Sequence, residues 1–460
     1  MSKSILAFIV LFTVACGTSQ KAPQELPAFS LKDVQKRSFL YFKETADPVT
    51  TLIPDRWPTP SFSSIAAQGF GYAAWIVGVE NGWVSRQEAA GWVLKSLRYF
   101  KNLPQGPESE GKAGYRGFFY HFLEMKTGQR FKQVELSSID TGLLMAGILT
   151  CMSYFDADNA VEAEIRKLAE ELYLAVEWDW MYDKDKQALS MGWHPEKGFI
   201  PAWWIGYNEA MVLNIMAMAS PTHPIPSQAW QSWVQPYLWA DFMGYPHVNF
   251  GPLFGHQYSH MFIDFRGIQD EYMRSRGIDY FENSRRATLA NRAYCLSVKD
   301  RFPHYNDSVW GLTACDGPRD TVVLHQGREL QIMGYSARGA AANYQVDDGT
   351  IAPTAAGGSI PFAPKECIAA LRGMYNTYGS RIYDKYGFKD AFNPLFTYGK
   401  GNEQGWFDGD YLGIDQGPIV IQIQNYQNEL IWNILKKNPY IIAGLRKAGF
   451  SGGWLEQAKP

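Results

Sequence analysis

The sequence predicts an all-α fold: a single (α/α)6 toroid, or barrel, with long active-site loops. Three observations predict this fold class. Some helical segments are apolar nearly all round, others carry charges on one face only, and the two kinds alternate along the chain. A helix without a polar face must be buried on every side. The alternation therefore implies an inner ring covered by an outer ring, and roughly eleven or twelve segments suit six hairpins.

The N-terminus predicts export. Lys3 is followed by an apolar run at 5–12 and by Thr13-Val14-Ala15, directly before Cys16. A positive start, a short apolar core and small residues before a cleavage point are typical of a signal peptide. The run is too short for a bilayer span, which takes about 20 apolar residues. A cysteine after Val-Ala is the bacterial lipobox arrangement, so we expect lipidation of Cys16, with plain secretion as the alternative.

This arrangement divides the chain into 1–25, a lipoprotein signal peptide and tether, and 26–460, the folded domain. No acidic residue follows Cys16 in the segment 17–20, which favours an outer-membrane anchor. We expect the protein to face the periplasm, with surface display as the alternative. Contact with the membrane is expected through the lipid anchor only, and the protein is expected to be a monomer.

The inner helices are expected where polar residues lead into apolar runs. These starts are Ser63-Ser64, Ser137-Ser138 with Asp140, Asn208-Glu209, and Asp415. The outer helices are expected where charges lie along one face, and they run from Arg86 to Leu103, from Val161 to Trp178 and from Tyr280 to Val298. Few strands are expected, and the Gly/Pro-rich segment 338–364 is predicted to be a functional loop. An open solenoid of helical hairpins is the alternative architecture.

Composition narrows the range of functions. The formal net charge is −3, so there is no electrostatic footprint for nucleic acid. Aromatic residues make up 15% of the chain, which suits either a sugar-binding cleft or a large helical core. His256 and His260 have the i, i+4 spacing of a metal pair but lack the glutamate of zinc proteases. We expect no metal and no cofactor.

Three carboxyl side chains carry the predicted chemistry. Asp140, Glu209 and Asp415 each lie at the start of an inner helix, where helix capping is an alternative role. In a toroid these helix starts face one end of the central cavity, so the three groups would meet in one pocket. Cleavage of a glycosidic bond needs one protonated and one ionised carboxyl. The apolar neighbours of Glu209 favour its protonated form, whereas Asp415 in a Gly-rich stretch suits the ionised role.

Five motifs occur in order along the chain: Ser64-Ile65-Ala66-Ala67-Gln68-Gly69-Phe70-Gly71, Ser138-Ile139-Asp140-Thr141, Gly206-Tyr207-Asn208-Glu209-Ala210, Asp348-Gly349-Thr350-Ile351-Ala352-Pro353-Thr354-Ala355 and Gly413-Ile414-Asp415-Gln416-Gly417-Pro418. Together they resemble glycoside hydrolase family 144, the "glucoamylase-like" bacterial proteins. The resemblance extends from about Leu31 to Gly449. It implies an (α/α)6 barrel that cleaves β-1,2-glucan with inversion, either internally or by releasing sophorose from chain ends.

The resemblance also implies roles for individual residues. Glu209 is the expected acid, Asp415 the expected base, and Asp140 is expected to be essential, sharing the base role or positioning the sugar. The residues expected to bind substrate are Trp204, Tyr207, Trp406, Asp348, Arg338 and His194. For Arg338 a salt bridge within its own loop is an equal alternative. Two other functions stay open: a polysaccharide lyase on a toroid fold, and a glycan-binding lipoprotein without turnover.

Overall fold

The structure is a computed structural model that describes residues 27–458 and contains sixteen α-helices within that range. They are α1 (Leu31–Glu44), α2 (Ile65–Glu80), α3 (Arg86–Asn102), α4 (Ser138–Tyr154), α5 (Ala160–Leu174), α6 (Met211–Ala219), α7 (Gln228–Val234), α8 (Tyr258–Phe262), α9 (Glu271–Arg276), α10 (Tyr280–Ser297), α11 (Pro353–Gly357), α12 (Pro364–Tyr378), α13 (Gly413–Asn428), α14 (Leu430–Leu435), α15 (Pro439–Lys447) and α16 (Gly453–Gln457). All the helices named from the sequence are present. Most of the additional ones are too short to show a helical period.

Six helices form the centre of the molecule: α2, α4, α6, α8, α11 and α13. Consecutive members touch from α2 through α4 and α6 to α8, and α11 touches α13, which returns to α2. Gln257, just before α8, bridges the remaining gap by donating to the carbonyls of Thr354 and Ala355 in α11. Nearly every side chain of α2, α4 and α6 is buried, as their lack of a polar face predicts.

The amphipathic helices cover this centre. Helix α1 packs on α13 and α2, α5 on α4, α12 on α11, and α15 on α6. Each predicted surface helix begins at a capping side chain: Ser85 for α3, Asn159 for α5 and Asp279 for α10 accept a hydrogen bond from the first turn. Helices α3 and α5 bury one stripe and leave the opposite face to solvent.

The closest contact between inner helices joins α2 and α4. A Cβ atom on Gly69 would lie 2.2 Å from the carbonyl oxygen of Leu143, and one on Gly147 would lie 2.0 Å from the carbonyl oxygen of Gly69. Any other residue at either position would push the two helices apart. Glycine is therefore required for this backbone approach.

Helix α14 fills one end of the ring. It follows α13 directly and contacts α4, α8 and α13. Its Trp432 is buried, and the indole N–H donates to the carbonyl of His260 at 2.6 Å. The guanidinium of Arg266 lies 4.5 Å from the centroid of the same indole. Side chains thus occupy the end of the ring at which α13 finishes.

The prediction of few strands is wrong, and the all-α class is correspondingly incomplete: the fold is mainly helical with many short strands. Within residues 27–458 the strands are β1 (Arg56–Trp57), β2 (Ser63–Ser64), β3 (Gly114–Tyr115), β4 (Phe118–Phe119), β5 (Phe122–Leu123), β6 (Leu136–Ser137), β7 (Tyr182–Asp183), β8 (Ala188–Leu189), β9 (Gly192–His194), β10 (Gly198–Phe199), β11 (Trp239–Phe242), β12 (Tyr245–Val248), β13 (Ala314–Cys315), β14 (Thr321–His325), β15 (Arg328–Ile332), β16 (Ser336–Ala337), β17 (Gly339–Ala341), β18 (Tyr344–Val346), β19 (Tyr383–Asp384), β20 (Gly387–Phe388), β21 (Phe392–Asn393), β22 (Trp406–Phe407) and β23 (Tyr411–Leu412). Most are two residues long, too short to show an alternating pattern. The segment 338–364, predicted to be a loop, contains the β17–β18 hairpin and helix α11.

Three of these strands position the inner helices. Strand β2 runs directly into α2 and pairs with β5, β6 runs into α4 and pairs with β9, and β23 runs into α13 and pairs with β1. Each pairing fixes the backbone at the start of a buried helix. It also brings the partner loop to the same end of the ring.

The N-terminal predictions lie outside the described residues, namely the signal peptide, the tether and the lipidation of Cys16. No helix within residues 27–458 combines the length and apolar character needed to cross a membrane. The four cysteines in this range are buried free thiols: Cys151, Cys295, Cys315 and Cys367.

Candidate active site

A cavity of about 650 Å³ lies at the starts of α2, α4 and α13, where β2, β6 and β23 enter the ring. Two kinds of side chain dominate its wall. The carboxyl groups are those of Asp55, Glu135, Asp140 and Glu209, and the aromatic rings are those of Phe62, Phe122, Trp204, Phe254, Tyr258 and Tyr335. Aromatic faces with a few polar groups between them suit a sugar ring, which has an apolar face and hydroxyls at its edge.

Glu209 is held at the cavity by a neighbouring inner helix. The hydroxyl of Ser259 in α8 donates to the Glu209 carbonyl at 2.8 Å and accepts from the backbone N–H of Val212 at 3.0 Å. It therefore fixes the start of α6, whose N-cap residue makes no capping bond of its own. Burial raises the pKa of Glu209 to about 7 because it disfavours the anion. Its protonated form is thus well populated near neutral pH.

Asp140 lies in the first turn of α4 and is bonded to the capping residue. The Ser137 hydroxyl accepts from the Asp140 backbone N–H at 3.1 Å, and it lies 2.5 Å from the Asp140 carboxylate as a donor. Both bonds orient the carboxyl group toward the cavity. Burial raises its pKa, and the nearby His121 opposes that change.

His121 links Asp140 to a second carboxyl group. Its Nδ1 lies 2.8 Å from Glu135 Oε1, and its Nε2 lies 3.6 Å from Asp140 Oδ1. The imidazole stacks on Phe122 with ring centroids 3.9 Å apart. Burial disfavours the imidazolium, but Asp140 and Glu135 outweigh that effect and raise the pKa of His121 to about 9. A cation thus faces Asp140 near neutral pH, whereas Glu209 forms no ion pair within the part of the chain that the structure describes.

Asp415 is buried in the first turn of α13. Its neighbours Leu412 and Ile414 line the cavity, and the Asp415 side chain lies behind that surface. Burial raises its pKa, a hydrogen bond with Asp390 lowers it, and surrounding aspartates raise it again. Asp415 therefore belongs to an acidic cluster at one side of the cavity.

Arg56 in β1 is the cation that faces this acidic cluster. Its Nη1 lies 2.6 Å from Asp316 Oδ2, and its Nε lies 3.2 Å from Asp55 Oδ2. A weaker contact of 3.9 Å joins it to Asp410. Burial opposes the charge of Arg56, but the aspartates outweigh it and raise its pKa above the usual range.

Two groups of side chains have the spacing of an ion site. Ligand atoms lie within 4.8 Å of one another in His121, Glu135 and Asp140, and likewise in Asp316, Asp390 and Asp408. In the first group the imidazole already serves as the cation. In the second, Arg56 pairs with one member. We assign a metal to neither.

Of the six residues predicted to bind substrate, Trp204 alone is among those lining the cavity. Its indole N–H donates to the Ser138 hydroxyl at 2.9 Å. Tyr207 is buried behind the wall and packs against His256 with ring centroids 4.7 Å apart. His194 lies 3.3 Å from the guanidinium of Arg130, outside the cavity wall. Trp406 pairs with Asn393 in the β21–β22 hairpin, and it too lies outside that wall.

Arg338 and Asp348 do not reach the cavity, which corrects the expectation that they contact the sugar. Both side chains are fully buried and form a two-pronged ion pair with N–O distances of 2.8 Å. The guanidinium also donates to the carbonyl of Met333. Because every polar atom is turned inward, the pair supports the 313–350 loops. The alternative of a salt bridge within the loop is the correct one.

Sequence reasoning missed the other side chains of the site. His121 and Glu135 flank β5 and β6, and Arg56 is part of β1. Each of these residues lies in or directly before a two-residue strand. It reaches the cavity because that strand pairs with a distant segment of the chain. Tyr258, which lies between His256 and His260 in the sequence, was also missed. Burial raises the pKa of Tyr258, and the nearby Asp415, Glu209 and Asp140 raise it further.

A family model matches more than half of the chain. The model of the Glycoamylase family, described as "Putative glucoamylase", matches residues 202–439. The matched segment includes Glu209 and Asp415. A curated relative, the exo β-1,2-glucooligosaccharide sophorohydrolase (non-reducing end) of Parabacteroides distasonis, is 28% identical over 475 residues. That alignment covers 95% of this chain and 59% of the relative, so the chain spans about three fifths of the relative's length.

Solved structures resemble the chain over nearly its whole length. A putative glucoamylase from Bacteroides uniformis is 32% identical with a TM-score of 0.79, and the match covers 92% of this chain and 97% of that one. The endo-β-1,2-glucanase of Chitinophaga pinensis, solved with sophorotriose and glucose, is 28% identical with a TM-score of 0.77. There the match covers 93% of this chain and 100% of the other.

Proposed function

The chain belongs to the Glycoamylase family, and from this premise we propose that it is a glycoside hydrolase that cleaves β-1,2-glucan with inversion. Relatives along most of its length are named a sophorohydrolase and an endo-β-1,2-glucanase. The fold we propose in full is an (α/α)6 toroid, supported by the ring of six inner helices. The observation that carries the proposal is that Glu209 and Asp140 line one aromatic cavity, with Asp415 beside its wall in the first turn of α13.

Glu209 is the proposed general acid. Bond cleavage requires a proton on the departing glycosidic oxygen, and the donor must hold that proton at the working pH. Burial supplies this property, with a pKa of about 7. As the C1–O bond breaks, the Glu209 proton moves to the leaving oxygen and the carboxylate remains. A proton from solvent then restores the acid.

Asp415 is the proposed base. In an inverting reaction a carboxylate takes a proton from water while the water oxygen bonds to C1 on the face opposite the departing group. The acid and base of such enzymes are about 6.5–9.5 Å apart, which leaves room for that water. Asp415 lies in the first turn of α13, beside the lining residues Leu412 and Ile414, and Glu209 precedes α6, so the two carboxyls belong to different inner helices.

Asp140 is proposed to hold the substrate and to stay ionised. The His121 imidazolium faces it, and Ser137 fixes its orientation. An ionised carboxylate accepts hydrogen bonds from sugar hydroxyls strongly. Asp140 lies beside a cation, which favours its ionised form, whereas burial favours the protonated form of Glu209. The two carboxyl groups therefore have different roles.

We further propose that the protein is exported and anchored through a lipid on Cys16, with residues 26–460 forming the catalytic domain as a monomer. The support is the N-terminal sequence pattern alone. Labelling with radioactive palmitate in a bacterial host checks this proposal. Incorporation that persists in the Cys16→Ser variant would contradict it.

The decisive experiment follows linear β-1,2-glucan with the wild-type protein and with Glu209→Gln. Loss of a general acid lowers the rate by about 10²–10⁴-fold, so we expect a fall in kcat of that size with unchanged thermal stability at pH 6. Glu164→Gln is the control, since Glu164 is an exposed carboxylate paired with Arg98 on the outer surface. Chromatography distinguishes the modes of action: sophorose alone indicates exo-action, and mixed lengths indicate endo-action.

Two outcomes would replace the proposal. An unsaturated product that absorbs in the ultraviolet would indicate a lyase. Saturable glucan binding without new reducing ends would indicate a binding protein. Near-normal turnover by the Glu209→Gln variant would remove Glu209 from the mechanism.

A further inference from the structure

A second buried carboxyl group lies against Asp415. Asp390 precedes β21 and is 1% exposed. Its Oδ2 accepts from the backbone N–H of Asp316 at 2.7 Å, and its own N–H donates to the carbonyl of Asp410 at 3.0 Å. The Asp390 and Asp415 carboxyl groups are close enough for each to change the pKa of the other. The backbone contacts hold Asp390 in place, so the closeness of the two acids is built into the fold.

Each acid has a buried carboxyl oxygen that lacks a donor among residues 27–458. These buried atoms are Asp390 Oδ1 and Asp415 Oδ2. A buried polar atom without a partner costs about 1–3 kcal/mol, and more if it is charged. Two ionised carboxylates at this separation would repel each other in surroundings that screen poorly. A single proton between them removes the repulsion and satisfies both orphan oxygens.

Within residues 27–458, no Lys, Arg or His nitrogen lies within 4 Å of a carboxyl oxygen of either acid. The titratable groups that face Asp390 are Asp316, Asp408, Asp415, Tyr335 and Cys315. Each of these groups becomes negatively charged when it loses its proton, so none of them can act as a cation. Arg56 is the cation of the cluster, and its contacts within 4 Å are with Asp55, Asp316 and Asp410. The negative charge of the Asp390–Asp415 pair is thus compensated by protonation and not by a neighbouring cation.

We propose that Asp390 is a positioning residue for Asp415: the two carboxyl groups share one proton, and the Asp390 O–H holds Asp415 as an oriented carboxylate at the cavity wall. This inference rests on the proposed role of Asp415 as the base. Asp390 does not touch substrate. Its hydroxyl proton stays on the pair throughout the reaction, so the other Asp415 oxygen is free to accept the proton from water.

The electrostatics of the pair agree with this arrangement. Burial raises the pKa of Asp390 well above its usual range, and Asp415 adds to the effect. For Asp415 burial also raises the pKa, whereas the bond from Asp390 lowers it. Asp390 is therefore the member that keeps the proton. Asp415 is the member that ionises first.

The pH profile of kcat tests the positioning role. Asp390→Asn keeps a donor, because the amide N–H₂ replaces the O–H, so it should retain kcat within about tenfold and leave the acid limb in place. Asp390→Val removes the donor, so Asp415 should require a higher pH to ionise. We expect its acid limb to move up by about one pH unit. An equal loss of kcat in Asp390→Asn and Asp390→Val, with the acid limb of both pH profiles unmoved, would overturn the proposal.

Thermal unfolding between pH 4 and 8 tests the shared proton without any turnover. A carboxyl whose folded pKa is raised contributes stability below its unfolded pKa of about 3.9, and that contribution is lost as pH rises. The wild type should therefore lose stability relative to Asp390→Asn across this range. The Tm difference, variant minus wild type, should become more positive toward pH 8. A difference that is constant with pH would refute the shared proton.

The two experiments separate the possible failures. If the wild type does not cleave β-1,2-glucan, the proposed function fails. The pH-dependent Tm difference still tests the shared proton, because it requires no turnover. Calcium and magnesium chloride at 1–5 mM, about the range of weak extracellular sites, serve as a further probe. A cation-dependent rise in wild-type Tm that Asp390→Asn abolishes would place a metal ion where the proton is proposed, and would overturn the inference.

Discussion

Substitution of Arg338 by methionine tests the buried ion pair that supports the loops around the cavity. The guanidinium donates twice to Asp348 and also to four backbone carbonyls, those of Cys315, Asp316, Met333 and Gly334. Methionine has a similar length but no donor. The substitution leaves the Asp348 carboxylate buried beside carbonyls that have lost a partner.

The expected loss follows from these contacts. Removing one partner of a buried ion pair costs about 3–5 kcal/mol, because the remaining charge is uncompensated. Asp348 keeps the backbone N–H of Met333 as a donor to its Oδ2 at 3.0 Å, which favours the middle of that range. We therefore expect about 4 kcal/mol. For 460 residues, an unfolding entropy of about 2.1 cal/mol/K per residue converts this to a fall in Tm of roughly 4 °C.

Calorimetry at pH 7 together with the KM for β-1,2-glucan provides the assay. Arg98→Met is the matched control, since Arg98 is exposed and pairs with Glu164 at the surface, where solvent screens the pair and its loss should change Tm little. The double variant Arg338→Met/Asp348→Leu should recover part of the loss, because no buried charge then remains. An Arg338→Met protein with wild-type Tm and a tenfold higher KM would show that Arg338 binds the sugar and would refute this reasoning.

Two further predictions concern His121 and Gly69. The folded pKa of His121 is raised to about 9, so its stabilising effect is complete below its unfolded pKa of about 6.5 and is lost as pH rises through 9. The His121→Gln variant should therefore be less stable than wild type at pH 6, by about 1–2 kcal/mol after allowance for partial exposure. Urea unfolding should show that gap closing by pH 9.5, and a gap of constant size would argue against an imidazolium. Gly69→Ala should destabilise the folded protein by about 1–3 kcal/mol, because its Cβ meets the Leu143 carbonyl. Calorimetry measures this change. The control is Gly91→Ala, where a Cβ meets nothing within 4 Å. Unchanged stability in Gly69→Ala would mean that α2 and α4 can separate freely.

The helices and their starts were predictable from sequence because burial on all sides leaves a clear signal. The runs after Ser64 and Ser137 each contain a single charged residue, and both serines cap the helices that follow. The convergence of Asp140 and Glu209 followed from the topology of a toroid, and both line the cavity. Those inferences depended on local patterns with a period that the sequence displays.

The rest of the site could not be predicted because it depends on contacts between distant loops. His121 reaches Asp140 because Tyr120 forms a bridge with Leu136 just before α4, and the His121 N–H donates to the Glu135 carbonyl at 3.0 Å. Such single contacts carry no sequence pattern of their own. Arg338 and Trp406 were expected to bind the sugar, and neither lines the cavity. Composition does not reveal whether such a side chain points into a cavity or into the protein interior.

Helix α14 has a consequence for how a polymer is handled. Trp432 and its neighbours fill the end of the ring at which α13 finishes, whereas the cavity lies at the end where α13 starts. On the proposed function, a glucan chain therefore enters and leaves on the cavity side of the ring. Departure of both fragments from that one side should then govern how many bonds are broken in each encounter.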